Sequence, residues 1–109
     1  MTLRPPPASS SSAIARTAAL DYEITQEQVS AFSRHGRALE VALTALAEYE
    51  RSHGKRGATR AQLIQDASYA LWCFIVQREA IGLRDPRPVI RDYRVPAEVH
   101  NRMGAFGRR

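Results

Sequence analysis

The sequence predicts an all-α domain, a long helical hairpin closed by one or two short C-terminal helices. Three observations predict it. A seam at alternating steps of four and three runs through Thr25, Val29, Phe32, Gly36, Leu39, Leu43, Leu46 and Glu50, the spacing of a helix face that buries against a partner. A second helical run places Leu63, Ala67, Ala70, Phe74 and Ile81. No segment alternates apolar and polar residues as a strand would.

The chain has 109 residues, one domain's worth, and the texture divides it into a disordered tail at 1–18, a helical domain at 19–104 and a frayed basic tail at 105–109. Residues 1–18 contain Pro5 to Pro7 and the run Ser9 to Ser12, too little apolar surface to order on their own. The acid-free start shares its composition with transit peptides, but the prolines oppose the amphipathic helix such a peptide needs.

The first helix is expected over about 18 to 52. Glu23, Glu27, Arg34, Arg37, Glu40, Glu48 and Arg51 fall off its seam, as an amphipathic helix requires. Gly36 interrupts it and marks a kink, a break into two helices or a close helix crossing. His53 in the last turn and Gly54 beyond it supply a favourable cation and a left-handed cap.

After Lys55, Arg56 and Gly57, the run Thr59-Arg60-Ala61-Gln62 has the form of a capping box and opens a second helix over about 60 to 82. From Ala70 to Val76 that helix is apolar all round, which makes it the expected most buried element. Ile81-Gly82-Leu83 reads as a Schellman stop. Asp85 before Pro86 caps a short turn or helix, and Pro96 opens another that ends before Gly104. At 1.5 Å per residue the first helix outruns the second, so Tyr22, Ile24 and Val29 require cover from the C-terminal segment or from a second chain.

Composition and spacing exclude several functions. The longest apolar run, Ala70 to Val76, falls far short of the ~20 residues of a membrane span. A single cysteine, Cys73, forms no internal disulfide; set between Trp72 and Phe74 it is expected as a core residue, and a cytoplasmic setting follows. His35, His53 and His100 lack metal-ligand spacing with each other and with Cys73. Gly54-Lys55-Arg56 is no phosphate loop, because neither Ser nor Thr follows the lysine. No catalytic residue, cofactor, metal or small-molecule substrate is inferred, and the chain is expected not to be an enzyme.

The expected function is a small helical interaction or scaffold protein with a protein partner or a second copy of itself, self-associating through Val29, Phe32, Leu39, Leu43 and Leu46. The alternative starts from charge. The net charge is +5, all but one of the basic residues are arginine, and arginine gathers after Leu83. Residues 84–102 have the outline of a helix-turn-helix, with Val95 and Val99 packing inward and Arg84, Arg87, Arg91, Arg94, Asn101 and Arg102 facing nucleic acid. Arg94 at a turn position that favours Gly, Pro88 in the first helix and Glu98 on the exposed face stand against it. The same residues suggest a polar clamp, Arg78 or Arg84 pairing with Glu79, Asp85 or Asp92 to fasten the C-terminal segment.

The stretch Leu71-Trp72-Cys73-Phe74-Ile75-Val76-Gln77-Arg78-Glu79-Ala80-Ile81-Gly82-Leu83-Arg84-Asp85, with Val89-Ile90-Arg91-Asp92-Tyr93 and Val95-Pro96 after it, resembles a family of short bacterial proteins of unknown function, from about Leu20 to Gly104. The resemblance implies a bacterial cytosolic setting and brings no activity, cofactor, partner or functional residue with it.

Overall fold

A computed structural model describes the backbone of residues 8–105, with side chains at 13–16 and 26–105. Among the described residues there are four helices and no strand: α1 (Ala8–His53), α2 (Ala58–Ala80), α3 (Arg87–Asp92) and α4 (Ala97–Met103). The fold is all-α. Two compact units divide the chain, residues 1–30 and residues 31–109.

The first unit holds α1 up to Ser30, and at its described positions Ile14 and Val29 are exposed, Val29 by 60%. The helix begins ten residues before the expected start near 18. Pro7 is the last residue there that cannot continue a helix, and neither Pro nor Gly intervenes from Ala8 to His35, so each added turn extends an existing helix at little cost. Residues 1–7 of the expected tail, and 106–109 of the expected basic tail, lie outside the described residues.

In the second unit α1, α2, α3 and α4 share one core of Leu39, Leu46, Ile64, Ala67, Leu71, Phe74, Ile75, Val89, Val95 and Val99. Phe32, Leu43 and Tyr93 are half-buried against it. The C-terminal segment therefore supplies the third side of what would otherwise be a two-helix sandwich. Ser68 joins α2 to α4: its fully buried hydroxyl lies 2.7 Å from the Ile64 carbonyl of its own helix and 3.1 Å from that of Val99.

The helix ends follow the chemistry of their residues. Gly54 (φ 79°) donates its N–H to the Glu50 carbonyl at 2.9 Å and closes α1 in the expected left-handed cap. At the end of α2 the Leu83 N–H reaches the Arg78 carbonyl at 2.8 Å and the Gly82 N–H reaches that of Glu79 at 3.0 Å, the paired bonds of a Schellman motif, with Gly82 at φ 93°. The capping box at Thr59 to Gln62 does not form. Gly57 precedes α2 at φ 106°, which puts Thr59 inside the helix, and Gln62 donates instead to Asp66 one turn on, at 2.8 Å.

Gly36 is the close crossing among its three expected alternatives. α1 is unbroken there, and a Cβ on Gly36 would stand 2.9 Å from the Tyr93 hydroxyl and 3.6 Å from Phe74 Cζ. The glycine lets the aromatic tips of α2 and of the residue after α3 approach the α1 backbone.

Candidate interaction surface

α2 carries two opposed faces. At 100° per residue Ile64, Ala67, Leu71, Phe74 and Ile75 form one face, and all of them are buried. Tyr69, Trp72, Cys73, Val76 and Ala80 form the opposite one, where Tyr69 is 54% exposed, Val76 44%, and Trp72 and Cys73 are half-buried. Leu83, just past the helix stop, is 45% exposed. The expectation that Ala70 to Val76 would be the most buried stretch is thus met on one side only, because α1, α3 and α4 all contribute their core residues to the same side of α2. Cys73 correspondingly lies on the outer face and not in the core. Tyr69 and Trp72 stack with ring centroids 6.2 Å apart, and a hydrogen bond with the Cys73 side chain holds the Tyr69 phenol above its ordinary pKa. Val76, Glu79, Ala80 and Arg84 line a shallow depression at the C-terminal end of this face.

The residues proposed for a self-association seam lie elsewhere. Leu39 and Leu46 are fully buried within the chain, and Phe32 and Leu43 are packed against the core, so these four present little apolar area to a second molecule. Val29, in the first unit, is the exposed one.

The polar clamp forms around a residue that sequence reading missed. Arg60 Nε donates to Glu50 Oε2 at 2.8 Å, while its two terminal nitrogens grip Glu98 at 2.7 and 3.0 Å. One guanidinium therefore ties α2 to the last turn of α1 and the first turn of α4. The carboxylates hold Arg60 well above its ordinary pKa, Glu98 first, and Arg60 in turn lowers Glu98. No spacing rule connects positions 50, 60 and 98, so only the fold could reveal the group. Replacing Arg60 with Met leaves the mostly covered Glu50 carboxylate without its partner, and the melting temperature is expected to fall by more than for Arg91→Ala, whose exposed partner Asp92 is its sequence neighbour. Equal melting temperatures for the two variants would contradict this.

Among the described residues Arg78 forms no ion pair with a carboxylate. Its Nη2 donates to the Asp85 carbonyl at 3.3 Å, its guanidinium sits 6.0 Å from the Phe74 ring centroid, and its Nε is buried without a partner.

The helix-turn-helix outline is present in part. Val95 and Val99 are buried as expected, and Arg94 adopts the left-handed conformation (φ 53°) that the turn demands. Three of the arginines are engaged at exposed ion pairs or hydrogen bonds: Arg87 with Asp85 at 2.9 Å, Arg91 with Asp92 at 2.9 Å, and Arg102 with Gln65 at 2.8 Å. Asn101 and Arg102 border an open depression of about 570 Å³ together with Lys55, Arg56 and Arg60, and Glu98 lies within it. Arg84 belongs to the far end of the domain, beside Val76.

Asp85 caps α3 by accepting the Arg87 N–H at 3.0 Å while it accepts the Arg87 side chain as well, and these bonds lower its carboxyl from 3.8 to about 2. A depressed pKa stabilises the fold above 3.8 and stops doing so as the pH falls towards about 2. Asp85→Asn is expected to flatten the acid limb of a stability-against-pH curve in that window, leaving the contribution of the lowered Glu98. An unchanged limb would remove Asp85 from the account.

Among the described residues no group of three His, Cys, Asp or Glu side chains is placed to hold a metal, and no helix is long and apolar enough to cross a membrane. Fold and surface define a small all-α domain with an apolar face left on its central helix. The chain belongs to DUF6665, a family of unknown function whose model matches residues 10–109. No curated protein and no solved structure shows a significant match.

Proposed function

We propose that this protein is a non-enzymatic interaction module of the bacterial cytoplasm, and that it docks onto another protein surface through the outer face of α2. The observation that carries this is the exposure of Tyr69 and Val76 on a helix whose middle, Ala70 to Val76, is apolar all round, and of Leu83 just past its end. An all-round apolar stretch of helix normally has every side covered, and exposed apolar side chains grouped on one face mark an interaction surface more often than a solvated one. Recognition of nucleic acid has weaker support, since Arg87, Arg91 and Arg102 are already bound within the chain and Glu98 stands in the basic depression.

A photo-crosslinking residue at Val76, compared with one at the exposed Glu48 of α1, tests the reading in cells producing the full chain. The expected result is a discrete protein adduct from position 76 and none from position 48. Absence of any adduct at 76 would dispose of the α2 face as the docking surface.

A further inference from the structure

We infer that the open depression between the loop joining α1 to α2 and α4 takes an acidic segment of another protein, an extended stretch that carries carboxylates two to four residues apart. The depression encloses about 570 Å³ beside Lys55, Arg56, Arg60, Glu98, Asn101 and Arg102. None of these residues belongs to the outer face of α2, so the two surfaces stand independently.

Positive charge without a matching carboxylate is the first ground. Among the described residues Lys55, Arg56 and Arg102 enter no ion pair, whereas Arg87 and Arg91 each hold a neighbouring aspartate. Lys55 and Arg56 are exposed in the loop, and the hydrogen bond of Arg102 runs to the neutral amide of Gln65, at 2.8 Å. Arg60, by contrast, is already taken by Glu50 and Glu98.

The order of these groups is the second ground. Measured along α2, Lys55 and Arg56 precede the helix, the Arg60 to Glu98 pair lies in its first turn, and Arg102 is held at Gln65. From Ala58 to Gln65 the helix rises roughly 10 Å, so cations flank the neutral pair on both sides at that order of separation. Side chains on one side of an extended segment are about 7 Å apart at two residues and about 13 Å at four, a range that brackets the spacing.

Glu98 decides between anionic partners. Its carboxylate lies within the depression and has both oxygens on Arg60, at 2.7 and 3.0 Å. A nucleic-acid duplex presents one charge per ~1.7 Å of its axis and would press phosphate against that carboxylate. Carboxylates spaced along a peptide leave the place over Glu98 to an uncharged residue. Asn101, on the same face of α4 as Glu98, supplies a side-chain amide suited to a peptide backbone.

The probe is a short fluorescein-labelled peptide of alternating Glu and Gly, titrated with the purified full chain and read by fluorescence anisotropy. Its neutral counterpart alternates Gln and Gly, and a DNA duplex represents the other anionic partner. Saturable binding of the Glu peptide is expected, with no binding of the Gln peptide, a duplex at least about tenfold weaker, and roughly tenfold loss of affinity between ~50 and ~300 mM salt. Lys55→Glu with Arg56→Glu is expected to weaken the complex by about tenfold or more and to leave the helical circular dichroism unchanged, since both side chains are exposed outside the helices. Arg37→Glu with Arg84→Glu makes the same change in net charge outside the depression and is expected to weaken it by less than about threefold.

Equal losses from the two double variants, a duplex that binds as tightly as the Glu peptide, or no saturable binding of that peptide each overturn the inference. Crosslinking at Val76 reads the other surface. An adduct there without peptide binding leaves the α2 face standing and removes the acidic partner, and peptide binding without an adduct does the reverse.

Discussion

Phe74→Ala is expected to remove about 3 to 5 kcal/mol of stability, a large share of the roughly 5 to 15 kcal/mol that folded domains commonly have. The ring is fully buried, with the Phe32 ring edge-to-face at 5.0 Å and the Tyr93 ring at 5.5 Å, and the Arg78 guanidinium lies over it. Truncation deletes both aromatic pairs and opens a cavity between α1, α2 and the residues after α3, which Gly36 opposite has no side chain to fill. It also leaves the half-buried Arg78 without the ring beneath it, a second cost with the same sign. Urea unfolding followed by far-ultraviolet circular dichroism, at one fixed protein concentration, measures the loss. A value below about 1.5 kcal/mol would mean that the second unit is not organised around this ring.

Gly36→Ala is expected to destabilise the protein although alanine is the better helix former. Propensity alone favours alanine by about 1 kcal/mol. The added methyl would lie 2.9 Å from the Tyr93 hydroxyl, and overpacking of that kind costs roughly 1 to 3 kcal/mol because a tyrosine ring has no flexible end to withdraw. The second effect outweighs the first. Tyr93→Phe removes the obstructing oxygen, and in that background Gly36→Ala is expected to change sign and stabilise, each variant being compared with its own parent. The same sign in both backgrounds would show that the hydroxyl is not what keeps position 36 a glycine. Because the two residues touch, the coupling between them is itself the measurable quantity.

Much of the architecture is legible because it is local. The end of α1 at Gly54, the Schellman stop at Gly82, the cap of α3 by Asp85 and the inward Val95 and Val99 each depend on residues within a few positions, where glycine, proline and short polar side chains have few alternatives. Local logic misleads where two local solutions compete. Thr59 to Gln62 forms a capping box only if the helix starts at Thr59, and Gly57 starts it earlier. Residues 8–18 look unable to order themselves, yet nothing in them stops a helix already growing from α1.

The candidate surface was legible only as a paradox: α2 is apolar on every side from Ala70 to Val76, and a sequence cannot say which side the rest of the chain covers. The seam Val29, Phe32, Leu39, Leu43 and Leu46 is a real helix face, but periodicity reports that a face is buried without reporting by what. Here α2, α3 and α4 bury Leu39 and Leu46 inside the chain.

The sequence by itself determined the all-α class, the two long helices and their stops, the short helices after Pro86 and Pro96, and the absence of a run long enough to span a membrane, all of them consequences of spacing or of one residue's backbone preference. Tertiary structure alone decided that Gly36 is a crossing point, that Arg60 and not Arg78 or Arg84 is the polar tie, and that α2 turns Tyr69 and Val76 outward. Each of these depends on which elements meet. Contacts between residues 38 positions apart, such as Arg60 with Glu98, leave no periodic trace, because the chain between them is free to vary while the geometry that joins them stays the same.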